Sequence, residues 1–227
     1  MTRLRFSRQD WGLVLAPVAL GLLAVLAWTH QQRPFREVLT QHATSVTRLS
    51  EAQLRNVRQA ARRLDGCIVG PGERLSFNAA VGPRTRDRGF VEAPAFLDGA
   101  RIASVGGGVC LVASTLYAAI QPTPWRVLQR VAHPRRSLAV PPGRDATVWY
   151  GQTDLVVENA WACPVKVRAR VDAVACRVEL WGRAAPGQQR ALRFAYFPGP
   201  RRGEQVVQVY RQDGGRSVLL SRDTYRP

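Results

Sequence analysis

Three residues able to act together on an acyl group follow one another along the chain: Cys110, His133 and Asp145. The cysteine comes straight after Gly106, Gly107 and Gly108 and opens the apolar run 111–120, which reads as a buried helix. A thiol at a helix start meets unpaired backbone N–H groups and the positive end of the helix dipole, which favour the thiolate and raise its nucleophilicity. The glycines let another stretch of chain come close. At 3.6 residues per turn Val112, Leu116, Ala119 and Ile120 make a core stripe, while Cys110, Ser114, Tyr117 and Gln121 share a different face. His133 ends the strand-like 125–133, and Asp145 opens the strand-like 145–150. Their chemistry would be that of a nucleophile, a base that takes its proton and a carboxylate that orients the base. The same residues also have blander roles: a cysteine packed as a small hydrophobe, a structural histidine, and an aspartate in the turn after Pro141-Pro142-Gly143.

The elements that must position them begin with a hydrophobic segment. Residues 11–28 carry no charge, and at about 1.5 Å per residue they reach roughly 27 Å, enough for the hydrocarbon of a bilayer. Trp11 and Trp28 mark its ends, and Arg3, Arg5 and Arg8 precede it, which favours a cytoplasmic N-terminus. The expectation is an uncleaved, single-pass anchor in a bacterial inner or plasma membrane. Residues 1–10 would be a cytoplasmic basic segment, 11–28 the transmembrane anchor, 29–44 a juxtamembrane segment and 45–227 one extracytoplasmic domain. A cleaved secretory signal is the rival reading.

Residues 35–64 carry Leu39, Val46, Leu49, Leu54, Val57, Ala61 and Leu64 at mostly helical spacing, and Asp65-Gly66 ends that helix. A loop rich in glycine and arginine then leads to the glycine run and suits the border of a cleft. From Trp125 onward the pattern is strand, at 125–133, 145–150, 154–158, 164–171, 176–181, 191–196, 205–210 and 216–220. One or two helices packed on a mainly antiparallel sheet, behind an N-terminal transmembrane helix, make the expected fold class α+β.

The net charge of +17 is almost all arginine, since Lys166 is the only lysine. On an exported domain that charge suits anionic headgroups or an acidic wall polymer. No aromatic-basic motif of a nucleic-acid reader is present, so nucleic acid is not an expected partner. The cysteines Cys67, Cys110, Cys163 and Cys176 allow three complete pairings. A hairpin of 165–171 with 176–181 would hold Cys163 too far from Cys176 to bridge, whereas a Cys67–Cys110 bond would remove the nucleophile. There is no zinc-type cysteine spacing, and Gly106 to Gly108 lacks the Lys-Ser or Lys-Thr of a phosphate loop, so neither a metal nor a cofactor is expected.

Several motifs occur in order. They are Pro71-Gly72-Glu73-x-x-Ser76-Phe77-Asn78, Val81-Gly82-Pro83-Arg84-Thr85, Arg88-Gly89-Phe90, Gly106-Gly107-Gly108-Val109-Cys110 and Ser114-Thr115-Leu116-Tyr117. Arg130 with His133, Gly143 with Asp145-Ala146-Thr147-Val148, Asn159 and Ser221-Arg222-Asp223-Thr224-Tyr225 follow. Together, over residues 45–225, they resemble the VanW family. The resemblance implies a bacterial envelope protein in the setting of vancomycin resistance, and it implies that cysteine, histidine and aspartate belong at the positions of Cys110, His133 and Asp145. Their order is similar to that of transglutaminase-like and papain-like thiol enzymes, which makes such a core an expectation. Two positions depart from the family pattern: Leu111, where it has Gln, and Ala118, where it has Asn.

The expected activity is thiol acyl transfer or amide hydrolysis on peptidoglycan or wall peptides. Cys110 would attack, His133 would carry the proton, Asp145 would hold the ring, and N–H groups around 109–111 would steady the oxyanion. Gly106, Gly107, Gly108, Arg84, Arg88, Ser114, Tyr117 and Arg130 are the expected substrate-binding residues. The alternative is a non-catalytic module that binds wall peptide or polymer through its arginines.

Overall fold

The computed structural model describes residues 20–23, 35–97, 100–136, 139–183 and 189–227. Its elements run β1 (Glu37–Ser45), α1 (Glu51–Leu64), β2 (Ile68–Val69), β3 (Arg74–Ser76), α2 (Phe77–Val81), β4 (Glu92–Leu97), β5 (Ala100–Val105), α3 (Cys110–Ile120), β6 (Arg126–Gln129), β7 (Val156–Glu158), β8 (Val165–Val171), β9 (Ala175–Gly182), β10 (Leu192–Pro198), β11 (Gln205–Asp213) and β12 (Arg216–Tyr225). The strands fall into four antiparallel sheets, ordered β1-β9-β8-β2, β10-β11-β12, β3-β7-β6 and β4-β5.

Alternation builds the first of these sheets. Val165, Val167 and Ala169 of β8 and Cys176, Val178 and Leu180 of β9 point inward, as a period of two demands. Helix α1 starts at a capping box: Gln53 N donates to Ser50 Oγ at 3.3 Å while Ser50 N donates to Gln53 Oε1 at 3.1 Å. It buries Val57, Ala60, Ala61 and Leu64 and packs on β8. Helix α3 is buried from Leu111 to Ile120 and runs between α1 and the β1 and β9 strands. A helix apolar all round belongs inside a core rather than on it.

Three expectations are corrected. Residues 35–64 do not form one helix. Glu37–Ser45 is a strand on β9, and the helix begins only at Glu51. Leu39, Thr40 and Thr44 are buried there, and β-branched side chains favour the pleated surface over the helix. This strand crosses the expected boundary at 44/45 and joins the central sheet. Second, in place of one or two helices on a single sheet, the strands are split among four sheets and dominate the fold.

Third, no helix among the described residues is long and apolar enough to cross a membrane. Of the expected anchor at 11–28, only residues 20–23 are described, as helix, and the remainder lies outside the described residues. That finding stands against the expected N-terminal transmembrane helix and the single-pass inner-membrane placement.

The turn before α3 is held by α1. Asn56 is fully buried. Its Nδ2 donates to Val91 O at 2.9 Å and Gly107 O at 3.0 Å, and its Oδ1 accepts from Val91 N at 2.8 Å. A Cβ on Gly107 would sit 2.4 Å from Ala93 O and 2.6 Å from Pro94 O, so only glycine lets β4 pass this closely. Asn56→Ala removes the side-chain partner of Val91 N and Gly107 O, Val91 O keeping Gly106 N, and is expected to destabilise the protein by about 2–4 kcal/mol. Urea denaturation checks this: the midpoint should fall with the slope unchanged.

Candidate active site

Cys110 is the first residue of α3. Its Sγ accepts from Val148 N at 3.5 Å and lies 3.4 Å from Val148 O. One turn along the same face, Ser114 Oγ accepts from Ala146 N at 2.9 Å and donates to Ala146 O at 3.3 Å. Residues i and i+4 of a helix are about 6 Å apart, close to the spacing of alternate residues in an extended chain. The helix therefore clamps residues 146–148 by their backbone. That segment is not the expected strand at 145–150; it holds only isolated bridges, one of them Val131 with Thr147.

This bridge carries the histidine. Thr147 N donates to Val131 O at 2.8 Å, two residues before His133. The Asp145 carboxylate is 2% exposed and takes four donors. His133 N reaches Oδ2 at 2.6 Å, His133 Nδ1 reaches Oδ2 at 2.9 Å, Arg130 Nη2 reaches Oδ1 at 3.1 Å and Tyr225 Oη donates to Oδ1 at 2.6 Å. Gly143 N in turn donates to Tyr225 Oη at 2.7 Å, which fixes the phenol as a donor toward the carboxylate. Arg130 also donates through Nε to Asp145 O at 2.7 Å and through Nη1 to Asp223 at 2.5 Å, and stacks 4.8 Å from the Tyr117 ring centre.

Burial pushes the Cys110 thiol up, but a side-chain hydrogen bond and the charge attraction of His133, the Val148 amide and the Arg84 charge together bring it below its ordinary value. Burial works against a charged His133, yet its hydrogen bonds to Asp145 and to Cys110 lift it well above the usual imidazole range. Desolvation of Asp145 is likewise outweighed, first by His133 and then by Arg130 and Tyr225, and its carboxyl titrates low. Both shifts run in the direction that favours a thiolate paired with an imidazolium and backed by a carboxylate.

The structure brings Cys110, His133 and Asp145 together, with Ser114, Arg130 and Tyr117 supporting them. Ser114 and Tyr117 are buried and hold the chain's own groups. Arg88 packs on Gly82, where a Cβ would meet its Nη2 at 2.4 Å, and Nη2 lies 3.5 Å from Val81 O. Arg84 packs on Gly106, whose Cβ would meet the Arg84 Cβ and Cγ at 2.8 Å. Gly108 faces Gln53 in the same way, at 3.1 Å. Of the amides at 109–111, Val109 N donates to Gly106 O and Leu111 N to Gly108 O. The Cys110 N–H has no acceptor among the described residues. Leu111 lies in the core cluster, on a face turned away from the thiol.

Sequence reasoning gave Tyr225 and Asp223 no role. They reach the site from the last strand, 80 residues beyond Asp145 in the case of Tyr225, and no local pattern announces such a contact. All four cysteines are free. Burial pushes the Cys176 thiol up to about 12, so it is a packed core group. Among the described residues no three His, Cys, Asp or Glu converge to hold a metal.

A strand-rich domain with a half-buried Cys-His pair on a helix start, backed by the buried Asp145, is thereby defined. The family model described as VanW like protein matches residues 52–181, more than half of the chain and all three residues of the array, and the chain belongs to that family. It is 38% identical over 132 residues to an uncharacterized protein YoaR of Bacillus subtilis (strain 168), covering 58% of this chain and 44% of that protein. It is 28% identical over 127 residues to the vancomycin B-type resistance protein VanW of Enterococcus faecalis (strain ATCC 700802 / V583), covering 54% and 46%. The match thus spans under half the length of either relative. No solved structure matches the chain.

The electrostatics predict that Cys110 alkylation by iodoacetamide has an apparent pKa below the ~8.5 of a free thiol. His133→Ala should raise it, and Tyr225→Phe should raise it less. Site-resolved mass spectrometry across a pH series checks this; an unchanged profile in His133→Ala would remove the imidazole from the sulfur.

Proposed function

We propose that this protein is a cysteine-dependent amidase or acyltransferase acting on peptide amides of peptidoglycan. The observation that carries the reading is the hydrogen-bonded run Cys110, His133, Asp145, with the thiol lowered and the imidazole raised. The likeness to a protein named for vancomycin resistance favours wall peptides over other amides.

In the first half-reaction the Cys110 thiolate adds to the amide carbonyl carbon, and the free Cys110 N–H at the start of α3 donates to the resulting oxyanion. The imidazolium of His133 gives its proton to the amine as the C–N bond breaks, leaving an acyl-thioester and neutral His133. Water, or an amine in a transfer reaction, then adds to the thioester while His133 takes its proton. The C–S bond breaks, and thiolate and imidazolium are restored. Asp145 keeps Nδ1 protonated throughout, so that Nε2 is the nitrogen that serves the reaction.

Purified muropeptides incubated with the protein and read by mass spectrometry test this. Cys110→Ala should abolish product, and Asp145→Asn should lower turnover by about two to four orders of magnitude. Equal product from Cys110→Ala and the parent would reject the reading, and retained binding without product would favour a non-catalytic module.

A further inference from the structure

The three arginines expected to bind substrate differ in how many of their donors are already occupied. Arg130 is engaged through all three of its nitrogens, by the Asp145 carboxylate, the Asp145 carbonyl and Asp223. Arg88 lies on Gly82 with Val81 O as an acceptor of Nη2, while its buried Nε has none. Arg84 differs in being coupled to Cys110. Its Nη1 donates to Gly82 O at 2.8 Å, and its guanidinium stacks between Phe77 and Tyr150, 5.6 and 5.7 Å from their ring centres. Its Nη2 is buried with no acceptor.

The aliphatic stem that carries this arm packs on the turn that delivers the nucleophile. Arg84 packs against Gly106, in the turn that delivers Cys110, and Gly106 has φ +91, so this contact and this turn both require glycine. Burial disfavours the guanidinium charge, and the Cys110 thiolate is the foremost group that favours it, ahead of Asp154 and Tyr150. Asp154 is itself occupied by Ser76 Oγ at 2.5 Å and by Asn78 N and Leu155 N, each at 2.8 Å. A buried N–H of a charged group left without an acceptor is costly and calls for an anionic partner.

We infer that Arg84 is the receptor for a substrate carboxylate next to the carbonyl that Cys110 attacks, so that the site takes peptides with a free carboxy-terminal acid. This rests on the thiol-acyl reading above for the identity of the reaction, but not for the anion receptor. Rigid stacking and a held Nη1 leave Nη2 to select a carboxylate over a carboxamide, and an unmet arm penalises substrates that lack the charge.

The test uses the 227-residue chain and two alkylating reagents that differ in charge. In both, the Cys110 thiolate displaces iodide from the methylene carbon, but iodoacetate carries a carboxylate and iodoacetamide does not. The rate ratio of acid to amide at Cys110, followed by site-resolved mass spectrometry, should fall about ten- to hundredfold in Arg84→Gln and be partly kept in Arg84→Lys. In the parent, an N-acetyl dipeptide acid should protect Cys110 from iodoacetamide, and its carboxamide should not. If Arg84→Gln slows both reagents equally, or acid and carboxamide protect alike, Arg84 acts on the thiol alone and the inference is overturned. The readouts need no turnover. Charge-selective labelling in a protein that never cleaves a muropeptide would reject the proposed reaction and keep the receptor.

Discussion

The carboxylate of Asp145 is the constraint on which the site depends. A carboxylate withdrawn from water is stable only if its oxygens are filled, and four donors from two separated parts of the chain, 130–133 and Tyr225, fill these. Each donor has a compensating partner of its own. Arg130 is balanced by Asp223, and Tyr225 accepts from Gly143. The result is a row of alternating charge, Asp223, Arg130, Asp145, His133, Cys110, with Arg84 beyond it. Removing a middle member exposes two like neighbours to each other as well as losing contacts, so its effect exceeds that of one hydrogen bond.

The Cys110 thiol is a structural group as well as the proposed reacting one. Cys110 and Ser114 hold alternate residues of the segment that begins at Asp145, so the helix that carries the thiol also fixes the carboxylate that holds His133. Burial on every side keeps α3 from shifting in register. The Val148 N–H adds to His133 in lowering the thiol.

Much of this was legible where the signal is local. The hairpin of β8 with β9 follows from strict alternation around Asp172 to Ala175, and the structure pairs Val171 with Cys176 at its end. The order of Cys110, His133 and Asp145 was also visible, as was the need for close approach at the three glycines. Where two periods fit the same residues, the reading failed: Leu39, Val46 and Leu49 suit a helix, and the β-branched Val38, Thr40 and Thr44 were the weaker sign of β1. The stretch 145–150 looked like a strand because its side chains alternate, yet its backbone partners are the side chains of Cys110 and Ser114. Nothing in a sequence reports a backbone satisfied in that way, or a tyrosine that returns from the last strand.

The sequence put Arg84, Arg88 and Arg130 forward alike as substrate-binding residues. A net charge of +17 is a long-range property, however, and at physiological salt it is screened within about 8 Å. What reaches the sulfur are two near cations, His133 and Arg84. His133 is committed to the Asp145 carboxylate and to the thiol itself. Arg84 has one arm on a carbonyl and one unpaired. Free donors at short range therefore decide what a guanidinium can recognise. By that measure Arg130, for all its closeness to the reacting groups, positions the carboxylate, while Arg84 is placed to meet the substrate.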